Sequence, residues 1–130
     1  MKINAFVERG SSKSFSCCAE DMIGKCLLVG YGSTAREAID DIRVSYYEYK
    51  EMENGNVPPV EFNIKFDVGS LFNYYNYLNI EGVAKVSGIN PSILRQYASG
   101  VRKPKESTIK KIEEGLKRIS EQLGCIMLCA

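Results

Sequence analysis

Between Ile80 and Leu116 the chain reads IEGVAKVSGINPSILRQYASGVRKPKESTIKKIEEGL, and this stretch constrains the fold more than any other. Val83, Ala84 and Val86 sit in a helical run that stops at Gly88, where a glycine reaches the positive φ that a sharp turn needs. Asn90 then offers an N-cap oxygen. Pro91 falls at the first helical position, where its missing N–H costs nothing. Two short helices joined by a tight turn follow. Ile89, Leu94 and Tyr97 are expected to face the first helix, leaving Asn90, Ser92, Arg95, Gln96 and Ser99 outside. That outer face carries groups suited to base edges, Arg toward guanine and Asn or Gln toward adenine. Gly100 ends the second helix, and Arg102, Lys103 and Lys105 come directly after it.

The segment resembles the Cro/repressor-type helix-turn-helix family. The matching residues are Val83-Ala84, Gly88-Ile89, Leu94, Gly100-x-Arg102-x-Pro104, Thr108-Ile109-x-Lys111-Ile112 and Leu116. A Gly–Ile turn by itself would fit any helical bundle; the trailing motifs at the right distance argue for the family. Ser87 departs from it, standing where a more apolar residue is common, although a small residue fits a tight contact between helices. The resemblance implies DNA binding. On that reading Ser92, Arg95 and Gln96 meet bases, with Ser99 on the same face, while Asn90 caps the helix and touches the backbone. Arg102, Lys103, Lys105 and Lys110 meet phosphates. One small reading head gives little specificity, so a homodimer or higher homo-oligomer on paired half-sites is expected.

The charge distribution is compatible with this. Residues 1–69 carry 8 Lys/Arg against 11 Asp/Glu, whereas residues 70–130 carry 9 against 5. Attraction to phosphate needs a local basic face rather than a basic chain, and the second half supplies one. The acidity of the first half suits a basic partner, and equally suits ordinary solvated surface. With 130 residues there is room for one ordinary domain or two small ones. Small domains bury little surface and gain from association.

Five cysteines, no C-x-x-C pair and no histidine argue against a zinc site, and no cofactor is expected. MKINAFVERG has no apolar run and no long apolar segment follows, so a cytosolic chain with reduced thiols and no membrane contact is expected. Without histidine the commonest general base is missing. The acids Glu8, Glu20, Asp21 and Glu61 are mostly single solvent-side residues of alternating strands, not the converging set that a two-metal nuclease requires. No catalytic residue is expected.

In the first half, Lys2–Glu8 and Ser14–Glu20 alternate apolar and polar around a turn at Arg9–Lys13, which reads as a hairpin. The neighbouring Cys17 and Cys18 then point to opposite faces. Cys26–Val29 reads as a buried third strand. Thr34 caps a helix with Glu37 completing a capping box, and Ala35, Ala38, Ile39, Ile42, Tyr46 and Tyr49 form its apolar stripe. Asn-Gly and Pro-Pro within Glu53–Pro59 stop it, and Val60–Val68 alternates again. The expected fold is α+β: a ββ-β-α-β antiparallel sheet with one helix on it, then an all-α helix-turn-helix domain. The boundary is placed at Gly69-Ser70, with Ser70 capping a helix over Leu71–Leu78. Domains of 1–69 and 70–124 and an apolar tail of 125–130 result. The tail is either a strand on a partner subunit or packed on the last helix. Tyr46, Tyr47, Tyr49, Tyr74, Tyr75 and Tyr77 are expected in core and domain-interface positions.

With this order in place the whole chain resembles a HicB-type antitoxin, through the opening hairpin and Gly32-Ser33-Thr34-x-x-Glu37-Ala38-Ile39 at the helix start. It departs from the family before that helix, having Glu20-Asp21-Met22-Ile23-Gly24 where a Pro-Asp-x-Pro-Gly loop is common. The resemblance implies a truncated ribonuclease H-like first domain covering a HicA-like, RNA-cleaving toxin. It implies a second domain that binds operator DNA as an autorepressor. The other reading is a stand-alone transcription regulator whose first domain dimerises or senses a ligand.

Overall fold

The computed structural model describes residues 1–10 and 13–130, and the chain divides into two compact units, Met1–Tyr75 and Asn76–Ala130. The first unit opens with strands β1 (Lys2–Arg9), β2 (Phe15–Ala19) and β3 (Val29–Gly32), followed by helix α1 (Ala35–Met52), strand β4 (Glu61–Phe66) and helix α2 (Val68–Tyr74). Of the hairpin turn expected at Arg9–Lys13, Ser11 and Ser12 lie outside the described residues. Alternation decides which side each strand buries. Ile3, Ala5, Val7, Phe15, Cys17 and Ala19 meet Ala35, Ala38, Ile39, Ile42 and Tyr46 of α1 in one core. Cys17 is buried while Cys18 is half-buried, so the two thiols do face opposite ways.

The sheet order is β3-β2-β1-β4. β1 pairs antiparallel with β2, and β2 with β3, but β4 runs parallel to β1 with Ala5 opposite Ile64. An all-antiparallel sheet is thereby corrected. The helix carries the chain back over the sheet, and such a crossover delivers the next strand in the direction of the first. The third strand also shifts, from Cys26–Val29 to Val29–Gly32. Ile23 and Cys26 instead exchange both backbone hydrogen bonds, 2.8 and 3.1 Å, around Gly24 at φ +62°. The glycines of β3 explain the shift. A Cβ on Gly30 would lie 2.4 Å from the Ala38 carbonyl and the Ile42 amide, and one on Gly32 would lie 2.4 Å from Glu37 Cβ. The strand forms where the helix backbone can rest directly on it.

At its start α1 has the expected cap. Thr34 Oγ1 accepts from the Glu37 amide at 3.1 Å, and the Glu37 carboxylate accepts from the Ser33 amide and hydroxyl at 2.8 and 2.6 Å. The Ser33 bonds hold the exposed Glu37 carboxyl below its ordinary pKa. At the other end the Tyr46 hydroxyl donates to the Pro58 carbonyl and accepts from the Val60 amide, pinning the approach to β4. Tyr46 is buried and Tyr49, Tyr74 and Tyr75 are half-buried, whereas Tyr47 and Tyr77 are exposed and are not core residues.

The boundary expected at Gly69-Ser70 falls inside the first unit. Asp67, not Ser70, caps α2: its carboxylate accepts from the Ser70 amide at 2.8 Å and from the Arg9 amide at 3.0 Å. The buried Ser70 hydroxyl is shared between Asp67 and the Val7 carbonyl. These bonds fasten α2 to β1, so the helix spans Val68–Tyr74 rather than Leu71–Leu78 and closes the first unit.

The second unit contains α3 (Ile80–Ser87), α4 (Pro91–Ser99) and α5 (Glu106–Gly124) around Val83, Ala84, Leu94, Ala98 and Ile112. Residues 125–130 follow α5 as an exposed extension. No helix among the described residues is long and apolar enough to cross a membrane.

Candidate nucleic-acid interface

Local chemistry fixes the turn between α3 and α4. Asn79 caps α3 by accepting from the Gly82 amide at 2.8 Å. Gly88, at φ +72°, ends the helix, and the Ile89 amide returns to the Ala84 carbonyl at 2.9 Å. Asn90 Oδ1 then accepts from the Ser92 amide at 2.9 Å with Pro91 at the first helical position. Gly100, at φ +84°, closes α4. Gly88, Asn90-Pro91 and Gly100 are legible in the sequence, whereas the Asn79 cap is a finding of the structure.

With Leu94 and Ala98 buried and Ile89 and Tyr97 half-buried, the outer surface of α4 is left to Ser92, Arg95, Gln96 and Ser99. These recur at steps of three, one and three, which places them on one face. Asn90, Ser92, Arg95 and Ser99 are exposed and Gln96 is half-buried. The side chains of two of the five make hydrogen bonds within the protein. The Asn90 side-chain oxygen is the helix cap, and the Ser99 hydroxyl donates to the Gln96 carbonyl at 3.1 Å. Arg102 is drawn back toward the same helix, its amide donating to the Gln96 carbonyl at 3.3 Å. Lys103, Lys105 and Lys110 are exposed on the connection and the first turns of α5. Lys105 occupies the N-cap position of α5 without a side-chain cap bond. The first amides of a helix add partial positive charge beside these lysines. The result is a reading face followed by a run of cations.

One partner on this face was not singled out by the sequence. Arg95 Nη2 lies 3.8 Å from Glu81 Oε2 in the first turn of α3, with 57% and 55% of the two side chains exposed. Fourteen positions separate them, and only the crossing of α3 and α4 brings them together.

Behind the face, α5 packs tightly on α3. A Cβ on Gly115 would stand 2.0 Å from Ser87 Oγ and 3.0 Å from Ser87 Cα and Cβ. The small Ser87 therefore fits the tight contact expected of it, although its hydroxyl is a buried group with no hydrogen-bond partner. Arg118 Nη1 donates to the Val86 carbonyl at 3.1 Å, satisfying one of the last carbonyls of α3. That bond ties α5 to the end of α3. Among the described residues no group of three or more His, Cys, Asp and Glu gathers where a metal could be held.

Residues 76–124 match the helix-turn-helix family, the type found in Cro and repressor proteins, and the match covers α3, α4 and α5. No curated protein and no solved structure matches the chain. For this part of the chain the match supports DNA binding and transcription regulation.

Proposed function

We propose that the chain is an operator-binding transcription regulator that reads DNA with the outer face of α4 and works as a homodimer or higher homo-oligomer. The observation carrying this reading is the single outward face of exposed Ser92 and Arg95 and half-buried Gln96, backed by the cations from Arg102 to Lys110. Ser92, Arg95 and Gln96 read bases, with Ser99 at the edge of that face. Arg102, Lys103, Lys105 and Lys110 hold phosphates, and Asn90 orients the helix start. The test is selection from a random duplex pool, then binding to the selected site. Arg95→Ala should lose about 1–3 kcal/mol on that site and relax the preference at one base pair. Equal loss on selected and random DNA would remove Arg95 from the reading face.

For the first unit the reading is a HicB-type antitoxin, non-catalytic and cytosolic, that covers a HicA-like RNA-cleaving toxin while the second unit represses the shared operon. The order ββ-β-α-β supports it, as does α1 opening on Gly32-Ser33-Thr34-x-x-Glu37-Ala38 with its cap formed. A truncated ribonuclease H-like ancestry belongs to the same reading. The stand-alone regulator, in which the first unit dimerises or senses a ligand, is compatible with the same helix-turn-helix. Purification of the tagged full chain from its native cell separates them. A small basic protein recovered in near-equal amount is the antitoxin result, and recovery of the chain alone is the regulator result.

A further inference from the structure

We infer that Glu81 is a specificity-determining residue of the DNA-reading face, acting through Arg95. The inference rests on the reading role proposed above for α4.

Arg95 is the only cation on that face of α4, and an unpaired arginine there would attract any phosphate. Glu81 prevents this. Its carboxylate stands 3.8 Å from Arg95 Nη2, close enough to offset part of the charge but beyond hydrogen-bond length. The guanidinium thus keeps its donors, five in a planar fork, while the anion beside it biases where the fork lies. A fork biased in direction and partly balanced in charge gains less from a phosphate. It can still meet the paired acceptors O6 and N7 of a guanine, where geometry rather than net charge decides the contact. Glu81 lowers the affinity for arbitrary DNA and leaves the affinity for the right base pair.

Both side chains are more than half exposed, so the pair is individually weak and its effect is a matter of several-fold. Glu81 also sits in the first turn of α3, where a carboxylate suits the helix dipole. Gln is therefore the substitution of choice, because it keeps the shape and removes only the charge.

The experiment uses the full chain. Wild type selects a duplex from a random pool. Wild type, Glu81→Gln, Arg95→Ala and the double variant are then titrated, across a range of salt, on that duplex and on a scrambled one. Glu81→Gln should bind scrambled DNA about two- to five-fold more tightly. Its salt dependence there should steepen by about 0.9 in log–log slope, one added phosphate contact. Affinity for the selected duplex should stay level or fall, so discrimination drops. In the Arg95→Ala background the Glu81 substitution should no longer change discrimination. The inference is overturned if Glu81→Gln strengthens both duplexes equally, or if its effect on discrimination persists without Arg95. A wild type that enriches no sequence would remove the reading of α4 itself, and the role of Glu81 with it.

Discussion

Replacing Gly115 by Ala tests the packing that presents the reading face. In an unconstrained helix this change stabilises by about 1 kcal/mol, because glycine pays the larger backbone entropy. At Gly115 the new methyl would meet Ser87 Oγ at 2.0 Å and Ser87 Cα and Cβ at 3.0 Å. The hydroxyl can rotate away, but the Cα and Cβ are fixed to the α3 backbone. The helices must therefore separate by roughly half an ångström, stretching the 3.1 Å bond from Arg118 to the Val86 carbonyl. A clash with atoms fixed to a backbone belongs in the upper part of the range for overpacking, about 2–3 kcal/mol; less the propensity gain of about 1 kcal/mol, the net loss is about 1–2 kcal/mol. The control is Gly82→Ala in α3, whose nearest neighbour would be Asn79 Oδ1 at an ordinary 3.6 Å, and which should stabilise by about 0.5–1 kcal/mol. Urea unfolding followed through amide resonances of α3 and α5 reports on the second unit directly. If Gly115→Ala is as stable as wild type or more so while Gly82→Ala behaves as expected, α3 and α5 are not in backbone-level contact and the reasoning fails.

The same crossing predicts that Ser87→Ala stabilises the unit by up to about 1 kcal/mol, since it removes a buried hydroxyl without a partner; a loss in the same urea titration would mean the hydroxyl is bonded. Arg118→Ala should destabilise by about 1 kcal/mol by stripping the Val86 carbonyl of its donor, and Arg118→Lys should recover only part of that. Lys103→Ala should weaken selected and random DNA alike and flatten the salt slope by about 0.9, as measured by titration across salt. Among the thiols, Cys125 and Cys129 are exposed and should react promptly with a disulfide reagent at pH 8, whereas Cys17 should react only on unfolding. Burial first, and the neighbouring Cys18 second, raise the Cys17 thiol from 9.0 to about 11. The folded state thus holds that proton more tightly, and its contribution to stability is complete below pH 9 and disappears as pH rises toward 11, which a pH series of urea midpoints would record.

What was legible in the sequence was local. Gly88, Asn90-Pro91 and Gly100 act within a few residues, so their caps and turns followed from residue chemistry, as did the Thr34 cap and the buried stripe of α1. The parallel pairing of β4 with β1 was not legible, because alternation in Val60–Val68 identifies a strand and its buried side but not its partner. The third strand lies later than its sequence suggests, because Cys26–Val29 is apolar and Val29–Gly32 is half glycine. Strand propensity counts those glycines as defects, whereas the approach of α1 makes them necessary. Asp67 takes the capping role expected of Ser70, through bonds from Arg9 and to Val7 that join distant parts of the chain and that local chemistry does not reveal. The outer face of α4 could be read from periodicity, but the neighbour of Arg95 could not, since Glu81 reaches it only through the crossing of two helices.

At Gly30 and Gly32 the spacing between helix and sheet in the first unit is set by main-chain atoms. Across the sheet, half-buried Phe62 meets α1 edge-on through Tyr46, while Phe66 packs against Tyr74 and Tyr75. One side is incompressible and the other is padded. α1 and the sheet therefore behave like the covers of a book whose spine is β3. A larger core residue between them is expected to tilt the helix about that spine and widen the gap along β4.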